Sequence, residues 1–525
     1  MSYSALLVDL VTDLGGCGRS QWLTAFVGQG AKIGAALSML HMTFNGQRSN
    51  FRCDHPHILL SNATFLFDNA CKIENGTGQC DNVVFENSIH TVVDEWDLVC
   101  ERSWIVAIIT TIQMAGVLVG CFISGHLGDL IGRKPTFYLS QLILFVFNIV
   151  AYFSVNWQMY AVIRFALGMG IGFFLTVHMN LITEMAPSVW RTRIIAVPTW
   201  AIGCSSLALV AWLLKDWRHI HLANAVIVLP FLLTFFFIDE SVRWLITKGR
   251  YNAANNLINR IARMNKKPKP NTSKLIEVAT LHAQSDNSKD THSVIDLFKE
   301  RRMGNITLGL IFIWITISFS YYGLTFGVGS LAGNLYMNMF LLNIIETPAS
   351  FVIMYFVNRF GSKKCLMATI QFTTLCGLAA GIVQYIDTPH RGLVTNVFAL
   401  ASKLGLAVGW GCIITYEVEL YPTVVRTIAY GLHNTAARVG GMVAPQIVFL
   451  NESVPGVMYF ISTALLLISA VICCTFPDTS GKELDDTLSS EKNLVTVTTV
   501  LKSSPDKTDD GLKPHQDTGE SDLKY

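Results

Sequence analysis

The chain has 525 residues, of which 51% are apolar and only 14% are charged. No soluble domain of this length needs so apolar a composition, and the mean hydropathy of +0.42 indicates a membrane protein. The formal net charge of +2, without a basic stripe, argues against a nucleic-acid-binding surface, and no nucleic-acid partner is expected.

Apolar runs of about 20 residues, the length needed to cross a bilayer as a helix, recur along the whole chain. Connections that contain Lys and Arg alternate with connections that contain almost none. Because basic loops stay on the cytoplasmic side, we expect an even number of spans and two cytoplasmic termini. The twelve predicted spans are 22–44, 103–125, 135–154, 159–181, 194–214, 219–238, 304–325, 334–357, 364–386, 393–416, 428–450 and 457–476.

These spans predict an all-α membrane protein with two six-helix halves. The first half covers 22–238 and the second covers 304–477. A cytoplasmic N-terminus (1–21) precedes them, and a cytoplasmic linker rich in Lys and Arg (239–303) joins them. The polar tail, 478–525, is rich in Ser, Thr and Asp, a composition typical of disordered segments.

A long connection between the first two spans, residues 45–102, is predicted to face the outside. Four cysteines in an oxidising compartment suggest two disulfides, for which three pairings are possible. Two glycosylation sequons lie in the same loop, and a single sequon also arises by chance. The cysteines are Cys53, Cys71, Cys80 and Cys100, and the sequons begin at Asn62 and Asn75.

The connection between the second and third spans is a short polar stretch, residues 125–134, which we predict to be a turn. Arg133 marks its side as cytoplasmic. Gly125 and Gly128 are expected to let two backbones approach closely. Asp129 ends an apolar helix and is expected to find a positively charged partner.

The chain contains an internal repeat. Residues 184–191 (EMAPSVWR) end the fourth span, and residues 419–426 (ELYPTVVR) end the tenth. The turn at 125–134 has a counterpart at 358–363, after the eighth span. Two such matches at corresponding positions predict a parallel repeat of six helices, with a site at the midplane between the halves.

These motifs resemble those of a known transporter family. Gly125-x-x-x-Asp129-x-x-Gly132-Arg133 is similar to the loop signature of the major facilitator superfamily, and Arg164-x-x-x-Gly168 to its fourth-helix motif. The finer motifs resemble solute carrier family 22, the organic cation, carnitine and organic anion transporters. They are residues 95–100 (EWDLVC), 240–245 (ESVRWL), 318–323 (SFSYYG) and 419–423 (ELYPT).

The resemblance covers roughly residues 15–490 and implies a plasma-membrane carrier without a cofactor that works by alternating access. The chain departs from the family in three places, one of which is Pro477-Asp478-Thr479 where the family has Pro-Glu-Thr. Its outside loop has four cysteines where members commonly have six. Its second turn has Asn358 and Ser362 where the first has Asp129 and Arg133.

Charged side chains inside spans are candidate substrate contacts, because a central charge costs about 2.5–3.5 kcal/mol on insertion scales. The small and polar face around Arg438 directs it inward, although a structural ion pair is an alternative. By resemblance, cation carriers have an acid at this position, whereas anion and carnitine carriers have Arg. Glu346 matches an acid shared by cation and carnitine members, although an acid that only packs beside Pro348 is an alternative.

Further candidates for the site are polar or aromatic. Lys32 lies about 15 Å into the first span, and snorkelling to the cytoplasmic surface is an equal alternative. Aromatic side chains at family cavity positions are expected to form its walls, although ordinary helix packing is an alternative. These aromatic residues are Tyr321, Tyr322, Trp200 and Trp410, with Gln113 as a weaker polar contact.

A charge network is predicted at the cytoplasmic helix ends, closing that side when the carrier faces outward. The alternative is that these charges only set the topology. The network and its motif residues are Gly125, Asp129, Gly132, Arg133, Arg164, Glu184, Arg191, Glu240, Arg243, Glu419 and Arg426.

The sequence thus predicts a carrier of small organic ions that lies in the lipid bilayer. Organic anions or carnitine-like zwitterions are the favoured substrates. An organic cation carrier is the alternative, and a receptor without turnover on the same fold is a more distant one. An enzyme is not expected, since no nucleotide-binding loop, metal-ligand spacing or nucleophile motif stands in a loop. The coupling ion or exchange partner stays open, with Glu346, Glu417 and Glu419 as candidates for ion coupling.

Overall fold

The computed structural model describes residues 3–53, 83–86, 89–273, 275–278, 280, 293–387 and 389–479. Within these residues, ten helices are long and apolar enough to cross a membrane. Two predicted spans are not among the ten. The run 334–357 forms two shorter helices, Leu335–Ile344 and Glu346–Phe360. The run 428–450 lies inside a longer helix, Thr423–Ser453, that carries many polar residues.

The described residues of the first half and its N-terminal helix form ten helices and a small antiparallel sheet, with β1 (Phe51–Cys53) paired to β2 (Val83–Phe85). Short 3-10 turns cover Cys100–Arg102 and Thr234–Phe236. The helices are α1 (Tyr3–Asp13), α2 (Arg19–Leu40), α3 (Met42–Asn45), α4 (Val92–Glu95), α5 (Trp104–Ile131), α6 (Arg133–Tyr152), α7 (Trp157–Met185), α8 (Ser188–Ile195), α9 (Thr199–Leu214) and α10 (Trp217–Leu233).

The linker and the second half continue this helical pattern, with a 3-10 turn at Gly327–Ser330. In the described part of the linker, the helices with both ends placed are α11 (Val242–Thr247), α12 (Tyr251–Met264) and α13 (Asp296–Lys299). The second half contains α14 (Arg301–Phe326), α15 (Leu335–Ile344), α16 (Glu346–Phe360), α17 (Ser362–Val383), α18 (Arg391–Leu420), α19 (Thr423–Ser453) and α20 (Val457–Thr475).

The polar stretch 125–134 is mostly helical, which corrects the prediction of a ten-residue turn. Helix α5 continues to Ile131, and only Gly132 separates it from α6. Gly132 has a φ of +120°, a conformation that favours glycine, and a Cβ there would overlap the Glu240 carboxylate. Gly361, with a φ of +88°, is the corresponding single residue between α16 and α17. The two breaks bear out the repeat in the backbone itself.

Close helix contact in the first half occurs away from this stretch. A Cβ at Gly125 would meet no atom within 4 Å, so the prediction of a close backbone approach there was wrong. The close approach is instead between α5 and α7, where a Cβ at Gly116, Gly168 or Gly172 would overlap a carbonyl oxygen of the facing helix. The apolar periodicity alone did not distinguish these glycines from Gly125.

The two halves meet through α5 against α19 and α9 against α15. Thr111 donates a hydrogen bond to the Met442 carbonyl oxygen (3.0 Å) and accepts one from Gln446 (2.9 Å). Phe44 stacks on Tyr336 with 5.5 Å between ring centroids. We call the end of the bundle with β1 and β2 the sheet end, and the end with Gly132 and Gly361 the turn end. These contacts between the halves lie toward the sheet end.

Candidate functional site

An ion pair in the second half forms the centre of the candidate site. The Lys403 ammonium, on α18, lies 3.0 Å from a carboxylate oxygen of Glu346, on α16. It also donates to the Thr325 hydroxyl at 2.7 Å and lies 3.2 Å from the centroid of the Tyr321 ring. The Lys403 side chain is fully buried, whereas that of Glu346 keeps 11% of its surface exposed. Glu346 is therefore the member of the pair that a substrate can reach.

Sequence reasoning missed Lys403. The signal was available, because this lysine stands alone within the apolar run 393–416 and a charge there needs a partner. What the sequence does not show is that α16 supplies this partner. A buried cation satisfied by a carboxylate, a hydroxyl and an aromatic face is held in one position.

The four predicted aromatic residues come together beside this pair. Trp200, from the first half, donates its indole N–H to the Tyr321 hydroxyl at 3.2 Å. Tyr321 contacts Tyr322 and Trp410, with ring centroids 5.3 and 5.8 Å apart. The aromatic wall therefore contains side chains from both halves, and a movement of one half against the other would alter it.

Arg438 lies on the other side of Tyr322. One of its guanidinium nitrogens is 3.4 Å from the Tyr322 hydroxyl, and another donates to the Asn434 side chain at 2.8 Å. Its side chain is 5% exposed, and its Nε has no hydrogen-bond partner. Among the described residues, no carboxylate pairs with Arg438. The structural ion pair considered as its alternative role is therefore not present in this part of the chain.

Lys32 also faces the interior. Helix α2 places it in electrostatic contact with Cys204 and with His178, both on helices of the first half. Cys204 also interacts electrostatically with Glu346 and Lys403, so Lys32 and the ion pair share this cysteine as an electrostatic neighbour. The described residues provide no acid within ion-pair distance of Lys32.

Gln113 belongs to a different environment. Its amide nitrogen donates to the carbonyl oxygens of Ser38 (3.2 Å) and Met39 (3.0 Å), and its oxygen accepts from Arg164. Gln113 is fully buried within the first half, so it does not contribute a polar group to the candidate site.

Arg164 likewise lies elsewhere than predicted. It stands 20 residues before Glu184 on α7, a separation of about 30 Å along the helix, and is fully buried. It therefore does not join the charge cluster at the turn end. Its position near the start of a helix that begins at the sheet end explains the difference.

A charge cluster does form at the turn end of the first half. Arg133 lies 2.5 Å from Asp129 and 3.3 Å from Glu184. Glu240 accepts hydrogen bonds from the backbone N–H groups of Arg133 (3.0 Å) and Lys134 (3.1 Å), the first residues of α6. A carboxylate is favourable at a helix N-terminus. Burial raises the pKa of Glu240, and these N–H groups oppose that shift.

The second half repeats this arrangement without its ion pairs. Ser362, at the position that corresponds to Arg133, donates to Glu419, which also accepts from Thr479 at 2.7 Å. Asn358, at the position of Asp129, is exposed. The hydrogen bonds and ion pairs described for Asp129, Arg133, Glu184, Glu240 and Glu419 do not join the first half to the second.

Arg191 and Arg426 play equivalent local roles. The Nε of Arg191 donates to the Ala186 carbonyl oxygen at 2.9 Å, and that of Arg426 to the Tyr421 carbonyl oxygen at 3.1 Å. Each arginine bonds the carbonyl oxygen of the first residue after a helix, α7 for Arg191 and α18 for Arg426. The sequence repeat is therefore also a repeat of hydrogen bonds. Arg243 is exposed and lines a cavity at the turn end together with Arg191 and Glu184.

The predicted outside loop is described only at its ends. Cys100 is disulfide-bonded. Cys71, Cys80, Asn62, Asn75 and the side chain of Cys53 lie outside the described residues, so the cysteine pairing and the glycosylation sites stay predictions.

The motif at 95–100 anchors this loop to the first half. Glu95 forms an ion pair with Arg218 and accepts from the Trp217 indole at 2.8 Å. Trp96 packs on Tyr160 and Trp217, with ring centroids 5.5 and 5.4 Å apart. The motif therefore fixes the loop onto α7 and α10.

Comparison with known proteins agrees with this arrangement. The chain matches the family described as "Sugar (and other) transporter" over residues 59–488. Solute carrier family 22 member 21 of Mus musculus is 33% identical over 409 residues, which cover 76% of this chain and 71% of that protein. Organic cation/carnitine transporter 2 of Rattus norvegicus is 30% identical over 406 residues, covering 76% and 71%.

Solved structures of similar shape belong to the same superfamily. The inward open conformation of the xylose transporter XylE from E. coli superposes with a TM-score of 0.64 and 15% sequence identity, covering 90% of this chain and 99% of that one. At this identity the likeness shows the fold alone. The family match and the two relatives show that the chain belongs to the major facilitator superfamily and, within it, to solute carrier family 22, so that it is a membrane transporter of small molecules and not an enzyme.

Proposed function

We propose that the substrates are organic anions, or zwitterions that carry a carboxylate, bound between the two halves. The observation that carries this proposal is Arg438, a buried guanidinium with an unpartnered Nε and no carboxylate partner among the described residues. A buried charge needs a counter-charge, and an anionic substrate supplies it.

The balance of charges around the site supports the same assignment. Lys403 is paired with Glu346, which leaves Lys32 and Arg438 as cations that the described residues do not neutralise. A planar carboxylate can accept two hydrogen bonds from a guanidinium, and the aromatic wall suits an apolar substrate body.

Transport in this proposal uses alternating access between two six-helix halves. The pair α15–α16 and the long helix α19 complete twelve spans, and the turn end is cytoplasmic because Arg133, Lys134 and Lys363 lie there. The loop at the sheet end then faces the outside of the plasma membrane, where its sequons are available for glycosylation.

An organic cation is the second candidate, favoured by one observation. Glu346 keeps part of its surface exposed beside Tyr321, and a carboxylate next to an aromatic ring suits a cationic substrate. Lys403 already occupies this carboxylate, so a cation has to compete with the ammonium.

Charge reversal at Arg438 separates the two candidates. In proteoliposomes with the purified full-length chain, we would measure counterflow of labelled 4-aminohippurate, L-carnitine and tetraethylammonium. For Arg438→Asp we expect loss of 4-aminohippurate exchange by about tenfold or more, equivalent to about 1.4 kcal/mol of binding free energy. Arg438→Lys, which keeps the charge, should retain more exchange. Unchanged anion exchange in Arg438→Asp would refute the proposal.

A further inference from the structure

A cavity of about 110 Å³ lies at the turn end of the first half, apart from the candidate site. Its described lining residues belong to the N-terminal segment, the first half and the linker. Four helices, α1, α7, α11 and α12, supply its apolar walls. The apolar side chains include Leu10 and Leu14 next to each other on α1, Met185, Val242 and Ile261.

Helix α1 is fixed in place over this cavity. The side chain of Asn265, the first residue after α12, donates to the Leu14 carbonyl oxygen at 2.8 Å. The same side chain donates to Gln21 at 2.9 Å and accepts from the backbone N–H of Ser20 at 3.1 Å. These bonds join the end of α1 and the start of α2 to the linker. The cavity under α1 is therefore a regular part of the fold.

Two arginines supply positive charge at the cavity. The Nε atom of Arg191 bonds the Ala186 carbonyl oxygen, but within the described ranges its terminal nitrogens have no hydrogen-bond partner. Arg243 lines the same cavity and is exposed. Burial and the neighbouring Arg243 both lower the pKa of Arg191, whereas Glu184 opposes this shift. Two guanidinium groups that repel each other in this way favour an anion between them.

The acid at the cavity already has a partner. Glu184 lies 3.3 Å from the Nε atom of Arg133. In the described segments, no carboxylate lies within ion-pair distance of Arg191 or Arg243. The chain therefore offers two cations here that an anion from outside the chain can pair with.

Size and polarity decide which anion fits. An apolar cavity of roughly 150 Å³ is large enough to bind benzene. The cavity of about 110 Å³ therefore suits a short apolar chain and not the two long chains of a phospholipid. Because Arg243 is exposed, the charged end of such a ligand would lie where the cavity meets solvent.

We propose that this cavity binds a single-chain carboxylate, such as a medium-chain fatty acid. The carboxylate pairs with Arg191 and Arg243, and the chain lies under α1 against Leu10 and Met185. The ligand contacts α1, the end of α7 and the linker helices at once, so it ties the N-terminal segment and the linker to the first half. This site is separate from Arg438 and does not depend on the charge of the transported substrate.

Photolabelling with mapped products tests the proposal. The full-length chain would be placed in nanodiscs of phosphatidylcholine, which has no net charge. A ten-carbon carboxylic acid with a diazirine on its chain would be added and illuminated, and the labelled peptides would be identified by mass spectrometry. We expect labelling in α1, α11 and α12. An excess of decanoate should reduce this labelling at least fivefold.

Four variants separate this cavity from other sites. Arg243→Gln removes a cation at an exposed position, and Val11→Trp fills the cavity without a change of charge, so each should reduce the labelling at least fivefold. Arg263→Gln, which removes another exposed arginine of the linker, is the matched control and should label as wild type. Arg438→Asp should also label as wild type. Size-exclusion profiles would show that each variant is folded.

Three outcomes would overturn the proposal. The first is labelling that is equal in Arg243→Gln and wild type or that maps to other parts of the chain. The second is loss of labelling in Arg438→Asp, which would assign the carboxylate to the substrate site. The third is labelling of this cavity by a photoreactive phosphatidic acid without competition from decanoate, which would make the occupant a membrane lipid. The transport proposal is tested by counterflow and does not depend on these results.

Discussion

At the scale of single residues, the roles of the charged side chains depend on what faces them. Lys403 and Arg438 are both buried cations on helices of the second half. Lys403 has Glu346 as its counter-charge, whereas the described residues offer Arg438 a hydroxyl and an amide oxygen but no carboxylate. In the proposed function, the first is therefore a fixed part of the site, and the second is the group that an anionic substrate would pair with.

The pairing of Lys403 with Glu346 predicts a non-additive response to mutation. Lys403→Met leaves the Glu346 carboxylate without its cation and should destabilise the protein by about 3–5 kcal/mol. The double variant Lys403→Met/Glu346→Gln removes both charges and should be more stable than Lys403→Met alone. Melting temperatures of the purified variants in detergent provide the comparison. If the stability loss of the double variant equals the sum of the losses in Lys403→Met and Glu346→Gln, the two side chains are not coupled.

At the scale of helices, contact between α5 and α7 depends on a few glycines. At Gly116, Gly168 and Gly172 the backbones of α5 and α7 touch, so an added methyl group would overlap the facing helix. Gly125, on the same α5, has open space around it. The two kinds of position look alike in the sequence and differ only in what the other helix presents.

This contrast predicts opposite outcomes for the same substitution. Gly168→Ala should lower the yield and the melting temperature of folded protein strongly, because its Cβ would meet the Gln113 carbonyl oxygen. Gly125→Ala should be neutral or slightly stabilising, since alanine favours helix more than glycine does by about 1 kcal/mol. Size-exclusion profiles and thermal melts check both. Equal effects of the two substitutions would contradict the packing between α5 and α7.

The helix breaks at Gly132 and Gly361 share the same backbone geometry, but the residues that flank them differ in charge. Asp129 holds Arg133, whereas the corresponding Asn358 is exposed and Ser362 replaces the arginine. We therefore expect Asp129→Asn to lower the counterflow rate several-fold and Asn358→Asp to change it little. Both variants would be compared at equal reconstituted amounts. A similar loss in both would mean that the difference between the halves has no role in transport.

At the scale of the whole molecule, the two halves are joined toward the sheet end. Thr111 and Gln446 bond each other across the halves, and Phe44 stacks on Tyr336 nearer that end. The hydrogen bonds and ion pairs described at the turn end do not join one half to the other. This distribution fits a state in which the sheet end is closed and the substrate leaves toward the turn end.

Linking the halves should therefore trap the carrier. In Thr111→Cys/Gln446→Cys, a short, reducible bifunctional thiol reagent should abolish counterflow, and a reductant should restore it. Each single cysteine variant, treated in the same way, controls for modification of the native thiols. Full activity of the cross-linked double variant would show that the halves do not separate at this contact during transport.

Much of the architecture was predictable because it depends on local composition. Apolar runs, basic connections and the repeated motifs led to the spans, the two halves and the family. The Arg133 cluster was also predictable, since its members lie at helix ends marked by motifs. Gln113 and Arg164 were misplaced, because a polar residue in a span shows that it needs a partner but not on which side of the helix that partner lies.

The sequence by itself determined that this protein is a helical membrane transporter of solute carrier family 22, because burial of apolar length and short motifs are properties of the chain alone. Only the tertiary structure decided that Lys403 is neutralised by Glu346, that Arg438 is not, and that Glu417 meets His433. These contacts join helices that are distant in sequence. In a low-dielectric interior, the distance to the nearest opposite charge decides whether a buried group is a structural member or a binding site.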